Sequence, residues 1–159
     1  MPATDSTVPT ETATPATAPA VDPRAPRFGQ GLTASLLAAA IVLRVPWLVA
    51  VVALSLTLAV ASRWRLDPSA LLWRHLLLPL VGPPPRTETA APHRFAKLIG
   101  ATFTLAATPL VLVGGPVALA GYALAGVVMV LAGLAATTGF CLGCRLYGQL
   151  AVARRLDLV

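Results

Sequence analysis

The chain has 159 residues, of which 57% are hydrophobic and only 11% are charged, and its mean hydropathy is +0.78. Soluble globular proteins carry about a quarter charged residues, so this composition excludes an ordinary soluble domain and indicates that apolar side chains face lipid. The formal net charge is +6, but the basic residues flank apolar runs and aromatic residues are few. That distribution is typical of membrane orientation and argues against nucleic-acid binding.

Residues 1–24 are rich in Thr, Pro and Ala, and proline recurs throughout them. Proline interrupts any helix, so the segment predicts a disordered, solvated tail. The tail has neither a basic n-region nor an apolar h-region, and we therefore expect no cleavable signal peptide.

The segment 25–147 predicts a membrane domain, and its first half reads as a hairpin. Two apolar runs, at about 28–43 and 47–62, flank a turn at Arg44-Val45-Pro46. At 1.5 Å per residue each run reaches about 24 Å, which is short of a hydrocarbon core of roughly 30 Å. We expect either two spans in a locally thinned bilayer or a hairpin that does not quite cross.

A second hairpin follows in the other half of the domain. Its apolar runs, at about 95–113 and 117–140, are separated by a tight turn at Gly114-Gly115-Pro116. The sequence as a whole therefore predicts an all-α membrane protein with four transmembrane helices arranged as two hairpins.

An amphipathic helix is predicted between the hairpins. Asp67 reads as a helix N-cap, and Pro68 follows at the first helical position. The helix, at about 69–80, is too short and too charged to be a span, so it is expected to lie at the membrane interface. Its leucines share one face: Leu72, Leu76 and Leu80.

The two hairpins open with similar residues. Pro26-Arg27-Phe28 begins the first, and Pro92-His93-Arg94-Phe95 begins the second. The echo favours a duplicated two-helix unit whose copies run in parallel through the membrane.

The orientation follows from the basic residues. Of the twelve Lys and Arg residues, only Arg44 falls at an outer turn; the others lie at the entrance, the central loop or the C-terminal end, including a basic tail at 148–159. The positive-inside rule places both termini and the central loop in the cytoplasm. The six acidic residues all fall outside the apolar runs, which argues against an ion-coupled pump acting alone.

Cys141 and Cys144 are the residues with the clearest chemical potential. Two cysteines at i and i+3 on one helix face are close enough for a disulfide, and Arg145 beside them favours the reactive thiolate. If they lie at the C-terminal end of the last span, however, the helix dipole disfavours the thiolate.

Three interpretations of the pair remain open. The cysteines form a redox or sulfur-handling dithiol, or they are small apolar residues that pack at a helix end. The third and weakest is a zinc site formed by Cys141, Cys144, His75 and His93. The sequence predicts no bound cofactor.

The motifs around Phe28 and Phe95, together with Gly139-Phe-Cys-Leu-Gly-Cys144, resemble the bacterial membrane family designated domain of unknown function 4395. The resemblance covers about residues 22–147 and implies a multi-pass protein of the bacterial inner membrane, in particular an actinobacterial one. Members of that family are often encoded near thioredoxin-like and rhodanese-like sulfurtransferase proteins, which favours the redox interpretation. One departure is Arg145, where many relatives are expected to carry an acidic residue.

The resulting hypothesis is a membrane thiol-redox or sulfur-relay component with a cytoplasmic thioredoxin-like or sulfurtransferase partner. The sequence does not favour a stand-alone enzyme, because one dithiol on one side cannot carry electrons across a membrane. The alternative is a non-enzymatic scaffold that binds lipid or a partner through its basic central loop.

Overall fold

The computed structural model describes residues 20–84, 87–139, 141, 145–146 and 148–149. Within these residues the protein is all-α, apart from one two-stranded sheet, which agrees with the predicted fold class. Residues 1–19 of the predicted N-terminal tail and 150–159 of the predicted basic tail lie outside the described residues, and so does Cys144.

Helices α1 (Arg24–Val42) and α2 (Pro46–Ala61) form the first hairpin. α1 begins before the apolar run that predicted it. There Asp22 Oδ1 accepts a hydrogen bond of 2.9 Å from the N–H of Arg24, one of the donors that a helix start leaves open. Pro46 stands at the first position of α2, where its missing N–H removes no intrahelical bond.

The helix predicted at about 69–80 is present, with one irregularity that the sequence did not indicate. It consists of α3 (Pro68–Leu72), a π-helical turn (Trp73–Leu77) and α4 (Leu78–Val81). The wide turn ends two residues before Pro79, whose ring would clash with the carbonyl of His75 in a regular helix.

One side of this segment is anchored and the other is exposed. Trp73 is buried, and its ring lies 5.7 Å from that of Phe28 in α1. In contrast, Leu76 and Leu80 are 58% and 85% exposed. That this exposed face lies in the headgroup region stays a prediction.

Helices α5 (Ala90–Val113) and α6 (Val117–Thr138) form the second hairpin. Both are long and apolar enough to cross a membrane, and only 22% and 17% of their most apolar windows are buried inside the protein. α2 is apolar but has only 16 residues, in line with the short arm that the sequence predicted. That all four helices cross stays a prediction.

The hairpins pack side by side as a four-helix arrangement. Beyond the contacts within each hairpin, α1 packs against α6 and α2 against α5. Small residues allow close approach: a Cβ added at Gly121 of α6 would lie 2.9 Å from the carbonyl oxygen of Ala107 in α5. Several alanines belong to the buried core with larger residues from each helix: Leu37, Ala40, Val49, Val52, Leu56, Ala101, Ala107, Val111, Ala125 and Val128.

A short antiparallel sheet joins the entrances of the two hairpins. Strand β1 (Ala20–Val21) precedes α1, strand β2 (Glu88–Thr89) precedes α5, and Val21 pairs with Glu88. Val21 stands seven residues before Phe28, and Glu88 stands seven residues before Phe95. Pairing between equivalent residues is the arrangement that a two-fold axis between the hairpins produces, as a parallel duplication requires.

Candidate functional site

Cys141 lies beyond the last long helix and not within it. α6 ends at Thr138, and Gly139 takes a left-handed conformation with φ +72° while its N–H donates to the carbonyl of Ala135 at 3.1 Å. A left-handed glycine is a common helix terminator because it has no Cβ. α6 thus ends within two residues of the predicted bound of about 140, and Cys141 lies outside it. That Cys141 and Cys144 share one helix face stays a prediction, because Cys144 lies outside the described residues.

The turn at Gly139 also receives a side chain from α1. A Cβ at this position would lie 3.1 Å from Cζ of Arg27 and would overlap its guanidinium. The cation thus sits at the C-terminal end of α6, where a positive charge interacts favourably with the helix dipole. This contact holds the turn at Gly139 against α1.

Two contacts position Cys141. Gln30 Nε2 of α1 donates a weak hydrogen bond to its Sγ at 3.8 Å. The carbonyl of Cys141 accepts a hydrogen bond of 3.2 Å from the N–H of Arg145, which is the spacing of a helical turn. The side chain of Cys141 therefore lies against α1 and outside α6.

An apolar cavity of about 130 Å³ lies next to Cys141, and we refer to it as the thiol cavity. It lies between α1, α5 and α6. Most of its wall is hydrocarbon, and its polar lining residues are Gln30, Thr33, His93, Lys97 and Cys141.

A second, open cleft of about 450 Å³ meets the thiol cavity at Cys141 and His93. Its other lining residues include Glu88, Gly139 and Arg145. His93 Nε2 lies 3.7 Å from Glu88 Oε2. Cys141 therefore stands between an apolar cavity inside the bundle and a charged cleft at its end.

The same end of the bundle holds an ion pair. Lys97 of α5 donates to Asp67 Oδ2 and, at 2.8 Å, to Ser69 Oγ. Asp67 Oδ1 also caps α3 by accepting from the backbone N–H of Ser69 at 3.1 Å and of Ala70 at 3.3 Å. The side chains are only 17% and 11% exposed for Lys97 and Asp67.

The ionisation of Asp67 reflects opposing effects. Burial alone would raise its pKa, but the charge of Lys97 and the hydrogen bonds from Lys97, Ser69 and Ala70 together outweigh burial. The pKa of Asp67 is therefore held below its ordinary value, and the carboxylate stays charged opposite Lys97.

The thiol cavity is lined by equivalent residues of the two hairpins. Relative to Phe28, α1 contributes Pro26, Gly29, Gln30 and Thr33. Relative to Phe95, the same positions of α5 are His93, Ala96, Lys97 and Gly100, and all four line the cavity too. Equivalent positions of the two hairpins thus line one cavity, in agreement with the local two-fold axis that the strand pairing indicates.

The part of the chain that the structure describes contains no cluster of zinc ligands. There, no group of three or more His, Cys, Asp and Glu side chains is placed to hold a metal ion. His93 lines the thiol cavity, whereas His75 is exposed in the π-helical turn. Cys144 lies outside the described residues, so a site that includes it stays a prediction.

The sequence profile of the family described as "Domain of unknown function (DUF4395)" matches residues 21–151. The chain belongs to the DUF4395 family. The resemblance expected from the Phe28, Phe95 and Cys141 motifs is thereby confirmed, and the DUF4395 match takes in both hairpins and both cavities. No curated protein and no solved structure matches the chain.

Sequence reasoning on this DUF4395 chain missed Gln30, Asp67 and Lys97 as parts of one site. Lys97 carried a signal, because it is the only lysine of the chain and interrupts the start of an apolar run. Asp67 was identified as a helix cap, which the structure confirms. Their pairing has no local pattern, since it joins residues that the fold alone brings together.

Proposed function

We propose that the chain is a four-span membrane protein whose Cys141–Cys144 pair performs thiol–disulfide exchange at the cytoplasmic side of the inner membrane. The reaction partner of the pair is a soluble thioredoxin-like or sulfurtransferase protein.

The membrane arrangement is supported by what the outer faces of the helices expose. Large apolar side chains project outward from the bundle, and a soluble fold rarely exposes contiguous apolar surface of this extent. Those at least half exposed on α2, α5 and α6 are Trp47, Val51, Leu54, Val113, Leu119 and Val130.

The observation that carries the thiol function is the position of Cys141 between two cavities. One side of the residue borders the charged cleft, where a soluble partner can approach, and the other borders the apolar thiol cavity. Gln30 donates to its sulfur, which orients the side chain where the two cavities meet. A cysteine that only fills space needs none of these features.

Reconstituted protein tests this function. Oxidised full-length chain in lipid vesicles, mixed with thioredoxin, thioredoxin reductase and NADPH, is expected to consume one NADPH per chain. Neither the Cys141→Ser nor the Cys144→Ser variant should consume NADPH above the background of empty vesicles. Equal consumption by the double Cys→Ser variant and the parent would refute the exchange.

A non-enzymatic scaffold is the second candidate, and one specific observation favours it. The α3–α4 segment exposes Leu76 and Leu80 beside the basic Arg74, as an interfacial helix does. The two functions separate experimentally, because Leu76→Ser with Leu80→Ser should weaken a scaffold but leave NADPH consumption unchanged.

A further inference from the structure

The thiol cavity has a polar end and an apolar body that reaches the outside of the bundle. The polar end is formed by Gln30, Thr33, His93, Lys97 and Cys141. Three lining residues of the body are also partly exposed on the outer surface: Phe103 at 37%, Val127 at 47% and Leu131 at 37%. In the proposed topology that surface faces lipid, so a membrane-dissolved molecule can enter from the side.

The polar end has hydrogen-bonding capacity left over. Of the three N–H groups of the Lys97 ammonium, two are engaged within the described residues, by Asp67 and Ser69. Gln30 Nε2 has a second N–H besides the one directed at Cys141. The Thr33 hydroxyl makes no hydrogen bond to any residue that the structure describes. These half-buried donors can therefore bind the acceptor atoms of a ligand in the cavity.

We infer that the thiol cavity binds an isoprenoid quinone, which exchanges electrons with the Cys141–Cys144 pair. This inference rests on the proposed thiol function and names its membrane-side reactant. The quinone ring lies at the polar end, and the isoprenoid tail follows the apolar body toward lipid.

The arrangement of donors favours a quinone over a fatty acyl chain. Gln30 and Lys97 occupy equivalent positions of α1 and α5, so each hairpin supplies one donor to the same cavity. A quinone ring carries two carbonyl acceptors on opposite sides, whereas an acyl group carries its oxygens at one end. Oxidation of a dithiol to a disulfide also releases two electrons. A quinone can accept them, whereas an acyl chain cannot.

The reaction balances without a further reactant. In the proposed reaction the thiolate sulfur of Cys141, a residue that borders the cavity, adds to the quinone ring and forms an S–C bond. The second thiolate then attacks that sulfur, which forms the S–S bond and breaks the S–C bond. The ring leaves as the quinol with two electrons and the two thiol protons, and thioredoxin can reduce the disulfide again.

Binding is tested first, with a menaquinone of short isoprenoid tail and full-length protein in nanodiscs. Ala132→Leu places a larger side chain in the cavity wall, and Ala123→Leu is the matched control because Ala123 lies on the same helix and is exposed. We expect Ala132→Leu to weaken quinone binding at least tenfold and Ala123→Leu to leave it unchanged. Equal binding by both variants would overturn the inference, as would complete displacement by equimolar palmitate.

Electron transfer is tested next, under anaerobic conditions. Reduced protein should convert menaquinone to the quinol, one per chain, and Ala132→Leu should slow this at least tenfold. If thioredoxin reduces the disulfide but menaquinone neither binds nor oxidises the dithiol, the inference is wrong and the proposed function stands. If the pair cannot be oxidised or reduced by any thiol reagent, the proposed function itself fails.

Discussion

Lys97 of α5 donates a hydrogen bond to the carboxylate of Asp67, the residue that caps α3. The bond joins the second hairpin to the segment that follows the first. Ser69 completes the contact by accepting from Lys97 and donating to Asp67 at 2.7 Å. Because Lys97 also lines the thiol cavity, this ion pair fixes one wall of the candidate site.

Loss of Lys97 should destabilise the protein. Lys97→Met leaves the carboxylate of Asp67 without its cation, and breaking a mostly buried pair typically removes about 3–5 kcal/mol. Thermal unfolding of detergent-solubilised protein measures the change. Arg65→Met, which removes an exposed charge from the same region, should shift the free energy of unfolding by less than about 0.5 kcal/mol. Equal effects of the two substitutions would contradict the role of the pair.

The pair should also make stability depend on acidity. The pKa of Asp67 is lowered in the folded protein, so its contribution is complete above the ordinary carboxyl pKa of about 3.9. It is lost as the pH falls through the lowered pKa of the folded state. The difference in unfolding free energy between the parent and Lys97→Met should therefore shrink below about pH 4. A difference that stays constant down to about pH 2 would be inconsistent with this assignment.

Alanine substitution should lower the stability of the protein at Gly121 but not at Gly126, although both glycines lie in α6. A Cβ at Gly121 would lie 2.7 Å from Val111 Cγ1 and 2.9 Å from the backbone oxygen of Ala107, so Gly121→Ala should lower stability by about 1–3 kcal/mol. At Gly126 the nearest atom is Ile41 Cδ1 at 3.9 Å, an ordinary contact. Gly126→Ala should leave stability unchanged or raise it by up to about 1 kcal/mol, through helix propensity. Unfolding in mixed detergent gives the free energy of unfolding of both variants. A value for Gly121→Ala equal to that of the parent would contradict the tight α5–α6 contact.

Gln30 should control the reactivity of Cys141. In a Cys144→Ser background, Gln30→Leu removes the N–H that approaches Sγ. A net hydrogen-bond contribution of about 0.5–1.5 kcal/mol corresponds to an alkylation rate lower by roughly 2- to 10-fold. Thr33→Val, at another polar position of the same cavity, serves as the control and should leave the rate unchanged. Iodoacetamide kinetics followed by mass spectrometry distinguishes the two results.

The turn between α1 and α2 should lie outside the membrane. A dual alkaline phosphatase and β-galactosidase reporter inserted at Arg44-Val45 is expected to give the external signal. The same reporter at Gly114-Gly115 is the control for a turn between two helices that are long enough to cross. An internal signal at the first turn only would indicate a first hairpin that does not cross.

The sequence predicted the helices well, and only the starts of α1 and α5 differ from the predicted bounds by more than two residues. Hydropathy marks where side chains become apolar, whereas the first turn of a helix can consist of residues that precede the apolar run. α1 therefore starts at Arg24 and not at 28, and α5 starts at Ala90 and not at 95.

The site was harder to predict because its contacts are long-range. Cys141 was identified from its spacing to Cys144, but its distance from α6 depends on the backbone of Gly139. Gln30 reaches its sulfur only because α1 packs against α6. The equivalence of Gln30 and Lys97 follows from the echo around Phe28 and Phe95, which the sequence does contain.

The redox state of Cys141 and Cys144 in native membranes tests the central claim most directly. Differential alkylation with two isotopically distinct reagents, before and after reduction, gives the oxidised fraction of each cysteine. Thiol exchange predicts equal oxidised fractions for the two residues, which fall when the thioredoxin system is active and rise when it is inhibited. Two cysteines that remain fully reduced under both conditions would contradict the proposed function.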